Sequence, residues 1–336
     1  MRKLIDDVRL IFKCCSLYYQ DGVGQKEICQ TLGISRPTVS RMLNAGKELG
    51  IVKIEIHNPD NLLYGKLERE LEKIFNLREV IVVPSSPLVE NPSLNPELGR
   101  AALKFIARIL RDKDLVGVSM GSTLQNVARA DFFVANKISC TFVPVLGGVG
   151  ESRPDLHSNF LAQEFAQRFG GDCVQLFAPA LFSKRSLLEE FLNEKTIRRV
   201  TDFYPKLDAL ILGIGSADAE NSTLLRTGYV DQRTLAHFGR RGAVGDIVLR
   251  YFDIDGDTKN FDDFNSRVAG INLSVLKKIP CRVGVAGGSK KIRAVAGAIN
   301  GGYLTVLITD IDCAQGLLNL RKDFSSRENI FADIPT

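Results

Sequence analysis

Residues 25–47 read Gln25-Lys26-Glu27-Ile28-Cys29-Gln30-Thr31-Leu32-Gly33-Ile34-Ser35-Arg36-Pro37-Thr38-Val39-Ser40-Arg41-Met42-Leu43-Asn44-Ala45-Gly46-Lys47. This stretch predicts two short helices joined by a tight turn. The first runs from Gln25 to Thr31, burying Ile28 and turning Lys26, Glu27 and Gln30 outward. Gly33 supplies the positive φ that the turn requires. Ser35 suits an N-cap, and Pro37 falls in the next first turn, where its missing N–H costs nothing. The second helix runs from Arg36 to Lys47, with Val39 and Leu43 four apart on its buried side. Helix, glycine-containing turn and helix make the helix-turn-helix pattern, whose second helix enters the major groove. Its outward face carries Arg36, Thr38, Ser40, Arg41 and Asn44. Arginine pairs with guanine edges or phosphates, asparagine with adenine, and hydroxyls with phosphate oxygens. A merely structural hairpin would carry mixed Glu and Lys on that face. Residues 36–47 hold three basic residues and no acid, which favours DNA. The DNA-contacting candidates are Gln25, Ser35, Arg36, Thr38, Ser40, Arg41 and Asn44.

Working outward, Val8 to Tyr19 suits a preceding helix with one buried face, stopped by Asp21-Gly22. Downstream, Val52 to Ile56 alternates apolar and polar residues and predicts a wing-like strand. His57 to Asn61 reads as a boundary, since Asn58 before Pro59 is pushed out of the helical region. This divides the chain into a helix-turn-helix domain, 1–57, and a larger domain, 58–336. Leu62 to Leu77 has Leu63, Leu67, Leu71 and Ile74 at helical intervals. Such a connector helix can dimerise or dock on the next domain, and the spacing leaves both open.

Beyond it, strands and helices alternate. The strands expected are Val80–Val83, Leu115–Ser119, Cys140–Val145, Cys173–Phe177, Ala209–Ile214, Asp246–Tyr251, Cys281–Ala286 and Leu304–Thr309. The helices expected are Pro96–Leu110, Ser158–Phe169, Leu187–Val200 and Lys291–Ile299. Continuous apolar strands separated by helices indicate an α/β fold, a mostly parallel buried sheet with helices on both faces.

The bulk properties agree. A chain of 336 residues predicts two or three domains. With 45% hydrophobic and 25% charged residues it is an ordinary globular chain, not a disordered one. No apolar run approaches the ~18–20 residues that span a bilayer. Met1 to Asp7 offers no signal-peptide core, so a cytoplasmic protein without a membrane partner is expected. The net charge of +5 is too mild to decide on a partner. The seven cysteines show no CxxC spacing, and His57, His157 and His237 form no close pair. Neither a disulfide framework nor a metal or other cofactor is expected.

Parallel sheets bind ligands beyond the carboxyl ends of their strands. Gly117-Val118-Ser119-Met120-Gly121-Ser122-Thr123-Leu124 leaves a strand and opens a helix. Its glycines allow close backbone approach and Ser119, Ser122 and Thr123 supply hydroxyls, so a phosphate fits, although a plain tight turn would look the same. It is neither the GxGxxG dinucleotide fingerprint nor a P-loop. Leu146-Gly147-Gly148-Val149-Gly150, Gly213-Ile214-Gly215-Ser216-Ala217-Asp218 and Ala286-Gly287-Gly288-Ser289-Lys290-Lys291 follow other strands, and Gly242 to Asp246 precedes one. Asp246 offers a carboxylate for hydroxyls, and Lys290 or Lys291 an ammonium for a phosphate.

With both halves in view, the chain resembles the SorC family of sugar-binding bacterial transcriptional regulators from about Val8 to Asn319. The resemblance is carried by Leu17-Tyr18-Tyr19, Gln25, Glu27-Ile28, Leu32 to Leu43, Leu49 to Val52, the Gly117 to Leu124 loop, Leu210 to Gly215, Gly245-Asp246 and Leu307 to Asp310. It implies an N-terminal helix-turn-helix that binds operator DNA. It also implies a C-terminal domain similar to sugar-phosphate isomerases, holding a phosphorylated sugar or polyol, and a homotetramer. Gly117, Ser119, Gly121, Ser122 and Thr123 take the phosphate loop by position, Gly147 and Gly148 the early glycine pair, Asp246 the sugar contact, and Lys291 (alternatively Lys290) the late lysine.

Three departures stand out. Ile311 follows Asp310 where the family commonly has an acid. Leu146 stands where the related deoxyribonucleoside regulators carry a Schiff-base lysine, which argues against covalent capture. Ser216-Ala217-Asp218 lacks the histidine of the aminosugar-phosphate isomerases, and with it their proton carrier. A DNA-binding regulator of carbohydrate metabolism, not an enzyme, is therefore expected, with an isomerase-like enzyme as the alternative.

Overall fold

Asp7 starts the first helix, its carboxylate accepting hydrogen bonds from the amides of Arg9 and Leu10 at 3.1 Å. The computed structural model describes residues 7–54, 63–86, 94–148, 153–218, 222–226 and 228–332. The chain separates into two compact units, Met1–Leu62 and Leu63–Thr336. In the first, α1 (Val8–Tyr19), α2 (Gln25–Leu32) and α3 (Arg36–Glu48) enclose Ile11, Cys14, Cys15, Ile28, Val39, Met42 and Leu43. Gly33 ends α2 at φ 65°, the left-handed conformation that the turn demanded. A Cβ on Gly46 would lie 2.3 Å from Cys15 Sγ, so its bare backbone is what lets α3 close on α1.

Two local expectations fail in this unit. Ser35 has the backbone geometry of an N-cap, but its hydroxyl bonds no amide and instead pairs with Thr38 Oγ1 at 2.8 Å. The wing strand is absent from Val52 to Ile54, because the amide of Val52 returns to Gly46 O at 3.0 Å and finishes α3. Glu55, Ile56 and the boundary segment His57 to Asn61 lie outside the described residues.

Among its described residues the second unit has ten strands: β1 (Glu79–Val83), β2 (Leu115–Val118), β3 (Thr141–Pro144), β4 (Asp172–Cys173), β5 (Ala209–Gly213), β6 (Gly215–Ser216), β7 (Gly245–Ile247), β8 (Arg250–Phe252), β9 (Cys281–Val285) and β10 (Val306–Asp310). Seven form one parallel sheet in the order β1-β10-β9-β5-β2-β3-β4. Alternate residues feed opposite faces. Val116, Val118 and Ile211 face α5 (Pro96–Ile109) and α7 (Ser158–Phe169), while Val143, Val145, Leu210 and Leu212 face the helix Ile292–Asn300 and its neighbours. Both faces are therefore buried, as the apolar strands required.

The connector helix α4 (Gly65–Phe75) docks on β1. Leu71 is fully buried, Glu72 Oε1 accepts the amide of Val80 at 3.1 Å, and Glu68 Oε1 that of Val82 at 2.8 Å. Two carboxylates thus cover the outward amides of an edge strand. Leu63 remains exposed.

Three expected elements differ. Asp246–Tyr251 is a hairpin, β7 and β8, because Val248 and Leu249 at φ 52° and 63° reverse the chain. Leu187–Val200 is two helices, Arg185–Leu192 and Lys195–Thr201, broken where the amides of Asn193 and Glu194 turn back to Glu190 O and Phe191 O. Cys173–Phe177 leaves the sheet after Cys173, since the Asn159 side chain takes both the amide and the carbonyl of Leu176. Among the described residues no helix is long and apolar enough to cross a membrane, and no group of three His, Cys, Asp or Glu is placed to hold a metal ion.

Candidate functional site

Strand order reverses where β5 returns beside β2, and the loops leaving β2, β3, β5 and β9 gather at that end of the sheet. Ser119, leaving β2, donates its amide to Ile211 O at 3.1 Å, which locks the first loop onto β5. Gly121 follows at φ 122° with open space where a Cβ would stand. The helix α6 (Ser122–Ala128) then begins, its first-turn amides lacking partners along the helix. Ser119 and Thr123 are buried and Ser122 half-buried. Gly117, expected in this loop, instead lies within β2. A Cβ there would strike Leu210 at 2.6 Å and Leu207 and Val145 at 2.9 Å, so its smallness serves the core.

The early glycine pair serves as structure. Gly147 donates its amide to Ala269 O at 2.8 Å and Gly148 to Ala178 O at 2.9 Å, so neither amide is left for an anion. Close backbone packing explains Gly147, whose Cβ would lie 2.5 Å from Pro179 O. The buried ring of His157 contacts Gly148 O through Nδ1, and its Nε2 lies 3.3 Å from the hydroxyl of Tyr229. The turn before it is tied to the loop that opens α6: Gly121 donates to Leu156 O at 2.9 Å and Gln125 Nε2 to Asp155 Oδ2 at 2.6 Å. The hydrogen bond from Arg153 holds the Asp155 carboxyl well below the usual carboxylate range.

Asp246 and Lys291 complete the wall. The Asp246 carboxylate is buried on β7, and β6 passes so close that a Cβ on Gly215 would lie 1.8 Å from Oδ1. Burial pushes its pKa up to about 6, against the opposing charge of Lys291 and the amide of Leu249. Lys291 is buried and donates Nζ–H to Ile214 O at 2.7 Å, whereas Lys290, the alternative, is exposed. Asp310 lies buried at the end of β10, accepting the amide of Cys313 at 3.0 Å; burial also raises its pKa. A carboxylate, an ammonium, three hydroxyls and helix-start amides at one sheet end suit a polyhydroxylated ligand with an anionic group.

In the helix-turn-helix unit, Ser35, Arg36, Ser40, Arg41 and Asn44 are exposed, and Gln25 and Thr38 half-buried. Arg41 Nε donates to Pro37 O at 3.2 Å, which leaves its terminal nitrogens for a partner. Arg36, Ser40 and Asn44 recur at four-residue steps along one stripe of α3.

A family profile described as "Putative sugar-binding domain" matches residues 62–319. The deoxyribonucleoside regulator of Bacillus subtilis is 31% identical over 93% of this chain and 97% of its own length. The transcriptional regulator LsrR of Escherichia coli K12 is 32% identical over 90% of this chain and 92% of its own length. The crystal structure of the full-length sorbitol operon regulator SorC from Klebsiella pneumoniae covers 93% of this chain and 99% of that one, at TM-score 0.69 and 29% identity. The chain belongs to the SorC family. It is a transcriptional regulator with a sugar-binding domain. In this SorC-family chain, Asp246 and Lys291 stand beside Ile214 and Gly215, and Gly213 just before them packs on Met120 and Leu124 of the loop that carries Ser119, Gly121, Ser122 and Thr123. Gly117 serves the core, and the amides of the Gly147-Gly148 pair are committed elsewhere. Sequence reading missed His157 and Tyr229, which lie 72 positions apart with no spacing signal. It quoted Gly215 only as part of a loop, although that glycine makes room for Asp246.

Proposed function

We propose that this SorC-family regulator binds operator DNA through α3, and that a phosphorylated sugar or polyol in the second unit switches that affinity. The observation that carries the reading is the pairing of Asp246 and Lys291 beside Ile214 and Gly215, directly after Gly213, which packs against Met120 and Leu124 where the loop opens α6, in a chain that also holds an exposed basic recognition helix. The anionic group sits at Ser119 to Thr123 and the hydroxyls on Asp246. Binding shifts a population between arrangements of the two units that do or do not match half-site spacing. The regulator acts as a homotetramer in the cytoplasm, pairing helix-turn-helix units on repeated half-sites, in keeping with the family resemblance.

Capture is non-covalent in this reading. Leu146, fully buried, stands before the early glycine pair, and Lys291 already donates to Ile214 O. Both ring nitrogens of His157 are engaged, which favours a binding site over a proton-transfer site. The test is anisotropy of labelled upstream DNA with the purified protein, titrated with D-glucose 6-phosphate, D-fructose 6-phosphate, D-ribose 5-phosphate and D-glucitol 6-phosphate. Salt-sensitive binding altered by one of them, without turnover, is expected. No specific DNA binding, or conversion of the sugar phosphate, would overturn the reading.

A further inference from the structure

We propose that Arg250 is a positioning residue that fixes the Asp246 hairpin against the structural turn Leu146–Gly148 that follows β3, so that the hairpin carrying Asp246 and that turn move as one. The proposal rests on the effector-site reading above. Its guanidinium meets four main-chain carbonyls and no carboxylate: Nε donates to Ile271 O at 3.1 Å, Nη2 to Val268 O and Gly270 O at 3.1 Å each, and Nη1 to Asn265 O. All four acceptors lie in residues 265–271. Burial drives the group's pKa down to about 10.

That acceptor segment is also what holds the loop after β3. Ala269 O accepts the amide of Gly147 at 2.8 Å, Ile271 donates its amide to Val145 O at 2.8 Å, and Leu146 bridges Gly270. On the other side, Arg250 begins β8 directly after Val248 and Leu249, both buried and both at positive φ. A β-branched residue in the left-handed region persists only where its surroundings over-determine it. Leu249 donates its amide to the Asp246 carboxylate, so the turn that Arg250 anchors also aims the residue expected to read hydroxyls. The path runs from Asp246 through the turn to Arg250, then through residues 268–271 to Gly147. Asn265 binds the same hairpin by a separate route, its side chain taking the amide and carbonyl of Tyr251 at 2.9 Å. A lysine at 250 keeps the charge and the stem but cannot present a planar fork to four carbonyls.

The test compares wild type, Arg250→Lys and Glu72→Ala in the full chain. Two readouts are used: hydrogen exchange without ligand, and release of upstream DNA by the sugar-phosphate panel. In Arg250→Lys, peptides covering Val145–Gly148 and Asp246–Tyr251 should both exchange faster, with α3 unchanged. The half-release concentration should rise about 10-fold while ligand-free DNA affinity stays within about twofold. Glu72→Ala, which removes the acceptor of the Val80 amide on β1 and touches neither the hairpin nor the turn, should lower the melting temperature without moving the half-release concentration, which separates positioning from simple stability. Faster exchange confined to Asp246–Tyr251, or an unchanged half-release concentration, would overturn the proposal. If no sugar phosphate releases wild-type DNA, the effector reading fails, and the exchange experiment still decides the coupling. Should Arg250→Lys not fold, native-state exchange of the wild type under rising denaturant decides it. Gly147 and Leu249 amides opening together support the coupling, and Leu249 opening well before Gly147 refutes it.

Discussion

Replacing Gly215 by alanine adds one methyl group against the Asp246 carboxylate of the proposed ligand site. The new Cβ would stand 1.8 Å from Asp246 Oδ1 and 2.7 Å from Cγ, against 3.4 Å for ordinary contact. The carboxylate must therefore retreat by about 1.5 Å, enough to break a hydrogen bond such as the one it accepts from the Leu249 amide. Losing one hydrogen bond to a charged group costs about 1.5–3 kcal/mol, equivalent to a roughly 10- to 150-fold weaker effector response. Forcing a methyl into a packed wall adds about 1–3 kcal/mol of destabilisation, visible as a lower melting temperature. Gly213→Ala is the control in the same loop. Its Cβ would meet Met120 O at 3.4 Å and Leu124 at 3.9 Å, so it should be tolerated. The assay is DNA anisotropy with a sugar-phosphate titration. Gly215→Ala should bind DNA like the wild type and need far more ligand for release. Equal half-release concentrations in Gly215→Ala and wild type would refute the placement of Asp246.

Other expectations concern charge and edges. With its pKa raised to about 6 from 3.8, buried Asp246 keeps its proton longer in the folded chain, so its contribution to stability is greatest below about pH 4 and falls as pH rises through 6, by about 3 kcal/mol. Thermal melts of wild type and Asp246→Asn from pH 4 to 7.5 should diverge over that window, and parallel curves would contradict the burial argument. Arg36→Ala should weaken DNA binding about 10-fold and reduce the slope of log K against log salt by about 1, read by anisotropy at several salt concentrations. An unchanged affinity would remove α3 from the interface. Glu72→Ala leaves the amide of Val80 without its acceptor and should cost about 1–3 kcal/mol in denaturant melts; a neutral result would mean that the β1 edge does not depend on this carboxylate.

The parts legible in the sequence are those governed by local chemistry. Gly33 and Pro37 marked the start of α3 because only a few backbone conformations suit them. The apolar runs of β2, β5, β9 and β10 marked a doubly covered parallel sheet because both faces of each are buried. Readings failed where a distant partner overrode local pattern. Val248 and Leu249 look like strand residues, but Arg250 and residues 265–271 hold them in a turn. Val52 has strand-like neighbours, yet its amide finishes α3. Gly147 and Gly148 resemble an anion cradle in one dimension, and only the fold shows their amides committed to Ala269 and Ala178. His157 was out of reach, since its partners Gly148 and Tyr229 are brought to it by two separate loops.

The pairing of β1 with β10 has a consequence in time. β1 touches the sheet along one side only, where Glu79 to Val83 match Val306 to Asp310. The connector helix and first strand therefore have no seat until the last strand has been made. The helix-turn-helix unit closes on contacts within its own first stretch of chain, between α1 and α3. At roughly 5–20 residues per second, the interval between the two events is on the order of 12–50 s for each newly made chain. During synthesis the contacts that close the helix-turn-helix unit are complete while the unit proposed to hold the effector is not. In the proposed reading, each ribosome thus carries, for part of every cycle, a DNA reader that no effector can address.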